Sequence, residues 1–267
     1  MNGIRGILPG IFTMGNLACG FGAIVIAGGS KHLIGPERAH NLNEAVWLII
    51  LAAFLDFLDG MVARLSRSSS RLGVEMDSLA DIVSFGVAPG VMIISFSLIS
   101  QANWAWILAF VYIMAGSFRL ARFGLSASLE EKTNFVGLPI PSAAIAIVSY
   151  VLFCNEVWGQ IRFEKFFIIL VVASAALMVS SIEYETMPKF DFSKSKDRIK
   201  MLLLLLVAVG LMINASLIIF PLALAYIIYG LSKMTHMIFT GGGKASFLYP
   251  STIFRRNGKE NDDEDVQ

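Results

Sequence analysis

An all-α, polytopic bundle of about eight transmembrane helices is the fold class this sequence predicts, and three observations predict it. Hydrophobic residues make up 56% of the chain and charged ones only 15%, with a mean hydropathy of +0.70. The apolar residues gather into runs of about 20, the length that crosses a bilayer as a helix. The positive charges collect on alternate loops between those runs. In hydrocarbon each backbone polar group must be satisfied within its own segment, so the runs are read as helices. A chain of 267 residues would otherwise allow one or two soluble domains; this composition excludes them.

The runs fall at 7–27, 45–65, 74–99, 104–123, 139–153, 166–182, 199–214 and 217–231. Arg5 ahead of the first gives it the outline of a cleaved signal peptide. Pro9, Thr13, Gly15, Asn16, Gly20 and Gly22 argue against that, because small and polar residues let transmembrane helices approach and hydrogen-bond across an interface. Asn16 would be a burden facing lipid and is placed toward the bundle interior. The fifth run opens on GLPIP, where Pro139 and Pro141 break the helix start and shape a rigid entry. The sixth is interrupted only by Ser174, Ser180 and Ser181, which a helix accommodates. The fifth, seventh and eighth are short. Cys19 and Cys154 lie in separate apolar runs without a His or Cys nearby, and are read as packing residues.

With the amino terminus in the cytoplasm, the inner loops hold all of the 21 Lys and Arg residues except Lys31, Arg38, Arg162 and Lys165. This bias places both termini at the cytoplasmic face of the cell membrane. Residues 1–232 form the expected transmembrane domain. Residues 233–267, Gly-rich from Thr240 and ending in GKENDDEDVQ, form a cytoplasmic tail expected to be disordered. The basic residues between 189 and 200 are read as meeting anionic lipid heads.

The second and third runs share the stretch that carries chemistry, DFLDGMVARLSRSSSRLGVEMDSLAD at 56–81, with the pattern D-x2-D-G-x2-A-R-x8-G-x3-D-x3-D. Asp56 and Asp59 share one helical face, and Asp77 and Asp81 share another. A basic hairpin at 66–72 lets the two faces meet. Acids inside a membrane span are costly and point to function. Solvated acids at helix ends, or an ion-pair network, would explain one aspartate better than four interleaved with small residues. Oxygen ligands without His or Cys suit Mg2+, Ca2+ or Mn2+, and a pair of such ions stabilises both oxygens of a phosphoryl displacement. Gly60 and Ala63 let a phosphorylated ligand approach the helix backbone. Arg64 can offer a diphosphate a fork of donors, and Gly73 opens room on the opposing wall. Arg119 and Arg122, three apart at the cytoplasmic end of the fourth run, are either snorkelling anchors or a paired clamp for an anion.

At its eight fixed positions the pattern matches the signature of the CDP-alcohol phosphotransferases, and the chain resembles that family, which joins a CDP-activated group to an alcohol and releases CMP. The resemblance implies the family's helical core and two divalent ions, Mg2+ or Mn2+, ligated by Asp56, Asp59 and Asp77 with Asp81 completing the site. It implies Asp81 as general base for the acceptor hydroxyl, and Gly60, Ala63, Arg64 and Gly73 as the cradle for nucleotide and diphosphate. A homodimer is also implied. The flanks resemble one subfamily, the bacterial and archaeal phosphatidylserine synthases, at ILPGIFTMGNLACGFGAI, GSFRLARF (116–123), FVGLPIPSAA (135–144) and MVSSIEYETMPKF (178–190). That subfamily usually has Asn after the first Pro, where this chain has Gly10, which leaves Thr13 and Asn16 as candidates for the nucleotide contact. This second resemblance implies CDP-diacylglycerol as donor and L-serine as acceptor within membrane lipid, and no nucleic acid. Arg119 and Arg122 would then meet the lipid phosphate or the serine carboxylate. Two alternatives stay open: a sibling enzyme using glycerol-3-phosphate or an inositol phosphate, and a membrane metal or ion transporter. The paired broken helices of many transporters are not visible.

Overall fold

The computed structural model describes residues 2–33, 35–66, 71–97, 104–127, 135–160, 162–180, 182–184 and 195–239. Eight helices follow in order among them: α1 (Asn2–Gly29), α2 (Pro36–Ser66), α3 (Arg71–Asp81), α4 (Ala88–Ser97), α5 (Ala105–Ala127), α6 (Ile140–Trp158), α7 (Glu164–Val179) and α8 (Ser195–Phe239). A π-helical segment, Ile82–Val87, joins α3 to α4. Two short strands, β1 (Phe135–Val136) and β2 (Glu183–Tyr184), pair antiparallel with Phe135 opposite Tyr184.

Burial along α1 explains how the bundle is held. Thr13, Asn16, Gly20, Ala23 and Ala27 form a buried stripe at helical spacing, while Ile11, Met14, Phe21 and Val25 are exposed. A helix in water hides its large apolar side chains; this one turns them outward and packs through small and polar ones, as hydrocarbon favours. The stripe lies against the third span. Ser84 Oγ donates to the Asn16 carbonyl at 2.9 Å, and Ser95 Oγ to the Ala27 carbonyl at 3.0 Å. Asn16 to Ala27 and Ser84 to Ser95 are equal steps, so the two helices run parallel. The π segment is braced from its other side by Tyr112, fully buried, whose hydroxyl donates to the Phe85 carbonyl at 2.8 Å.

Among the described residues six helical stretches are long and apolar enough to cross a membrane: Gly10–Gly29, Pro36–Ala63, Leu72–Ser95, Ala105–Gly124, Ile140–Trp158 and Val209–Lys233. The chain is a multi-pass membrane protein. The sequence reading has about eight spans. Its sixth is α7, whose 16 residues fall short of that length, and its last two share α8. There the backbone leaves the helix at Asn214 (φ −153°, ψ 93°), and Asn214 Oδ1 caps the following turn by accepting from the Leu217 N–H at 3.3 Å. A Cβ at Gly210 would lie 3.5 Å from the Ile218 side chain, a contact no straight helix allows across that separation, so the helix is sharply kinked here. Helix α8 then runs to Phe239, past the boundary expected at 232; residues 240–267 lie outside the described residues.

Helix α6 occupies the centre, with Ala143, Ala144, Ala146, Ile147 and Val148 fully buried, and packs against α2, α7 and α8. Its entry is fixed at Gly137, whose φ of +83° suits glycine. A Cβ there would stand 2.6 Å from the Met178 carbonyl oxygen. The Gly137 N–H donates to the Ile182 carbonyl at 2.8 Å, and the Leu138 N–H to that of Leu177 at 3.0 Å. These bonds tie the start of α6 to the end of α7.

Candidate active site

The aspartates of α2 and α3 come together. Asp56, Asp59, Gly60 and Ala63 lie on α2, and Gly73, Asp77 and Asp81 on α3. Asp56, Asp77 and Asp81 each bring a carboxylate oxygen to within 4.8 Å of the other two. Asp59 stands beside this triad, close enough to act electrostatically on Asp56 and Asp77. The two helical faces inferred from spacing therefore do meet, with Asp59 at the margin of the group.

Helix α1 braces the acids from behind. Thr13 Oγ1 donates to Asp59 Oδ2, and Asn16 Nδ2 donates to Asp81 Oδ1 at 3.2 Å, all four residues being buried. Two carboxylate oxygens, Asp59 Oδ1 and Asp77 Oδ1, are buried with no hydrogen-bond partner. Leaving a buried acceptor unpaired costs about 1–3 kcal/mol, and more when it is charged. A cation relieves that cost, and the all-oxygen donor set fits a hard divalent one.

The remaining predicted residues divide. Gly60 is exposed and a Cβ built there would meet nothing within 4 Å. No packing inside the fold requires glycine at that position, and the space lies open on the face of α2 beside Asp59. Gly73 is likewise exposed on α3, and Ala63 is half-buried. Arg64 belongs to α2, but its side chain lies outside the described residues, as do residues 67–70 of the hairpin. Arg119 of α5 is only 7% exposed, is within electrostatic reach of Asp81 and of Tyr226 on α8, and has an unpartnered Nε. Arg122 points elsewhere: its Nη1 and Nη2 donate to the Val179 and Ser180 carbonyls, both at 3.2 Å, closing the C-terminus of α7. Arg119 is thus within electrostatic reach of Asp81, while Arg122 donates to the main chain at the end of α7.

Sequence reasoning did not find the π segment that begins at the residue after Asp81, although π segments gather at functional sites. Nor did it find Ser84, Tyr112 or Tyr226. The visible signal was indirect: Thr13 and Asn16, three apart on one face, marked which side of α1 turns inward.

A family model described as CDP-alcohol phosphatidyltransferase matches residues 6–180. The CDP-diacylglycerol–serine O-phosphatidyltransferase of Helicobacter pylori is 31% identical over 253 residues, covering 94% of this chain and 96% of that protein. The protein of the same name from Methanocaldococcus jannaschii is 37% identical over 186 residues, 70% of this chain and 82% of its own length. That from Bacillus subtilis is 37% identical over 141 residues, 53% and 73% of the two chains. The matched region holds both halves of the aspartate motif, the two bracing residues of α1 and both arginines. On this evidence the chain belongs to the CDP-alcohol phosphatidyltransferase family.

Proposed function

We propose that this protein transfers the phosphatidyl group of CDP-diacylglycerol to the hydroxyl of L-serine, giving phosphatidylserine and CMP. The observation that carries the proposal is the convergence of the Asp56, Asp77 and Asp81 oxygens at one point, in a chain whose relatives of that activity match most of its length. Asp56, Asp59 and Asp77, with Asp81, are the residues that would hold two divalent cations, Mg2+ or Mn2+. When bound, such ions neutralise the diphosphate and the charge that develops on the attacking and leaving oxygens.

Asp81 is the group that accepts the proton of the serine hydroxyl. As that proton leaves, the hydroxyl oxygen bonds to the phosphatidyl phosphorus. The bond from phosphorus to the CMP oxygen breaks, and CMP departs with the electron pair. Among the described residues no Ser–His or Cys–His pair stands at the site, which favours this direct displacement. The open face at Gly60, together with Ala63 and Gly73, leaves room for nucleotide and diphosphate, and Arg64 is the cation for the diphosphate. Arg119, buried opposite Asp81, balances the acids and faces the carboxylate or phosphate of a substrate; Arg122 holds α5 to the end of α7. We place the site on the cytoplasmic side of the cell membrane, from the distribution of Lys and Arg, within a transmembrane domain of residues 1–232 that works as a homodimer.

CMP release by detergent-solubilised protein tests this reading, with CDP-diacylglycerol and Mn2+ or Mg2+ and with serine, glycerol-3-phosphate, inositol phosphate or no acceptor. Serine alone should support release, with loss of about a hundredfold or more in Asp77→Asn and on chelation. Release with another alcohol removes the acceptor from the proposal. No metal-dependent release with any acceptor overturns the enzyme reading.

A further inference from the structure

Thr13 holds one oxygen of Asp59 and leaves the other to the site. Its Oγ1 donates to Asp59 Oδ2, and Asp59 is only 6% exposed. The second oxygen, Asp59 Oδ1, is buried and has no hydrogen-bond partner among the described residues. The carboxylate stands beside Asp56 and Asp77. Asn16 treats Asp81 in the same way, donating to Oδ1 at 3.2 Å. Each of the two acid-bearing helices thus has one carboxylate pinned by a neutral donor from α1. Because the donors carry no charge, the pins orient the acids without neutralising them, as a lysine or arginine would.

Such a pin restricts how a carboxylate can meet a cation. Ca2+ gathers about six to eight oxygens in loose geometry and commonly takes both oxygens of one carboxylate. Mg2+ demands a near-ideal octahedron, filled by water and one or two carboxylates. To offer both oxygens equally to one ion, Asp59 must turn away from Thr13. That breaks a hydrogen bond to an ionised group at a buried position, where such bonds are strong.

We propose that Thr13 is the positioning residue that sets the cation preference of the site: by holding Asp59 Oδ2 it makes Asp59 a one-oxygen ligand, which favours a small octahedral ion and disfavours Ca2+. The proposal rests on the metal-assisted reading above and adds to it the residue that discriminates between ions. Thr13 acts through Asp59, as the hydrogen-bond partners behind ligating carboxylates do.

The test reads metal binding directly, without substrate. Affinity of the detergent-solubilised protein for Mn2+ is measured from the electron paramagnetic resonance signal of unbound Mn2+, and for Mg2+ and Ca2+ by competition, in wild type, Thr13→Val and Thr13→Ser. Valine keeps the shape and removes the donor, so Mn2+ and Mg2+ should bind about tenfold or more weakly. Ca2+, which gains the second oxygen, should bind within about threefold of wild type or more tightly, so that the preference over Ca2+ falls by about tenfold. Serine keeps the hydroxyl and should restore the preference to within about threefold of wild type. An unchanged preference in Thr13→Val, with all three ions weakened equally or none affected, overturns the proposal, and so does a Thr13→Ser protein that behaves as Thr13→Val. Thr13→Ala undergoes the same measurements if the valine variant does not elute as a folded species. A wild type that binds no divalent cation overturns the metal reading itself, a result distinct from either of these.

Discussion

Replacing Gly20 with alanine perturbs the contact on which the placement of Asp81 depends. An added Cβ would stand 2.7 Å from Ser84 Cα and 2.8 Å from Ser84 Cβ, whereas ordinary van der Waals contact begins at 3.4 Å. The obstacle is backbone, so no rotamer change relieves it, and α1 must move from the π segment by about 0.7 Å. That shift stretches the Ser84–Asn16 bond from 2.9 Å beyond useful hydrogen-bond length. It also strains the Asn16–Asp81 bond, already 3.2 Å. Overpacking costs about 1–3 kcal/mol and a lost buried bond about 0.5–1.5 kcal/mol. The site itself suffers more, because a displacement near 1 Å at reacting groups costs up to about a hundredfold in rate. The expected result is a lower melting temperature in detergent and a fall in kcat for CMP release of about ten- to a hundredfold. Gly28→Ala, where a Cβ meets nothing within 4 Å, is the matched control and should behave as wild type. A Gly20→Ala protein with wild-type kcat and melting temperature would refute the claim that α1 sets the position of Asp81.

Two further substitutions separate folding from catalysis. Gly60→Ala adds a methyl into open space, so the melting temperature should not change, while KM for CDP-diacylglycerol rises by about tenfold or more if that space is the cradle for nucleotide and diphosphate; titration of the lipid substrate reads this directly. Arg122→Ala removes two charge-assisted bonds to the end of α7, a loss of about 1.5–3 kcal/mol for each bond at most. It should lower the melting temperature and leave the serine KM within about threefold of wild type. A large rise in the serine KM would restore Arg122 to the substrate.

The legible part of this protein is the part where hydrocarbon makes a residue type conspicuous. Aspartates at 56, 59, 77 and 81, and Thr13 and Asn16 in an otherwise apolar helix, stand out because a polar group in a bilayer is kept only where it has a partner. Their periodicity tells which face they share. It does not tell which neighbour that face meets. Thr13 and Asn16 were candidates for the nucleotide, and their hydrogen bonds go to Asp59 and Asp81, far along the chain. Arg119 and Arg122 show the same limit more sharply. Three residues of helix separate them by about 4.5 Å along the axis and about 60° around it. That difference suffices to send one toward the acids and the other to the carbonyls of Val179 and Ser180. The π segment had no sequence mark, since Ile82–Val87 reads as ordinary apolar helix. Its widened turn accompanies tertiary bonds, Tyr112 to Phe85 and Ser84 to Asn16, whose donors and acceptors together lie on three different spans. The residue that ties site to fold is therefore Ser84, an unremarkable serine in sequence. Through it the packing of α1 against the third span becomes the position of Asp81.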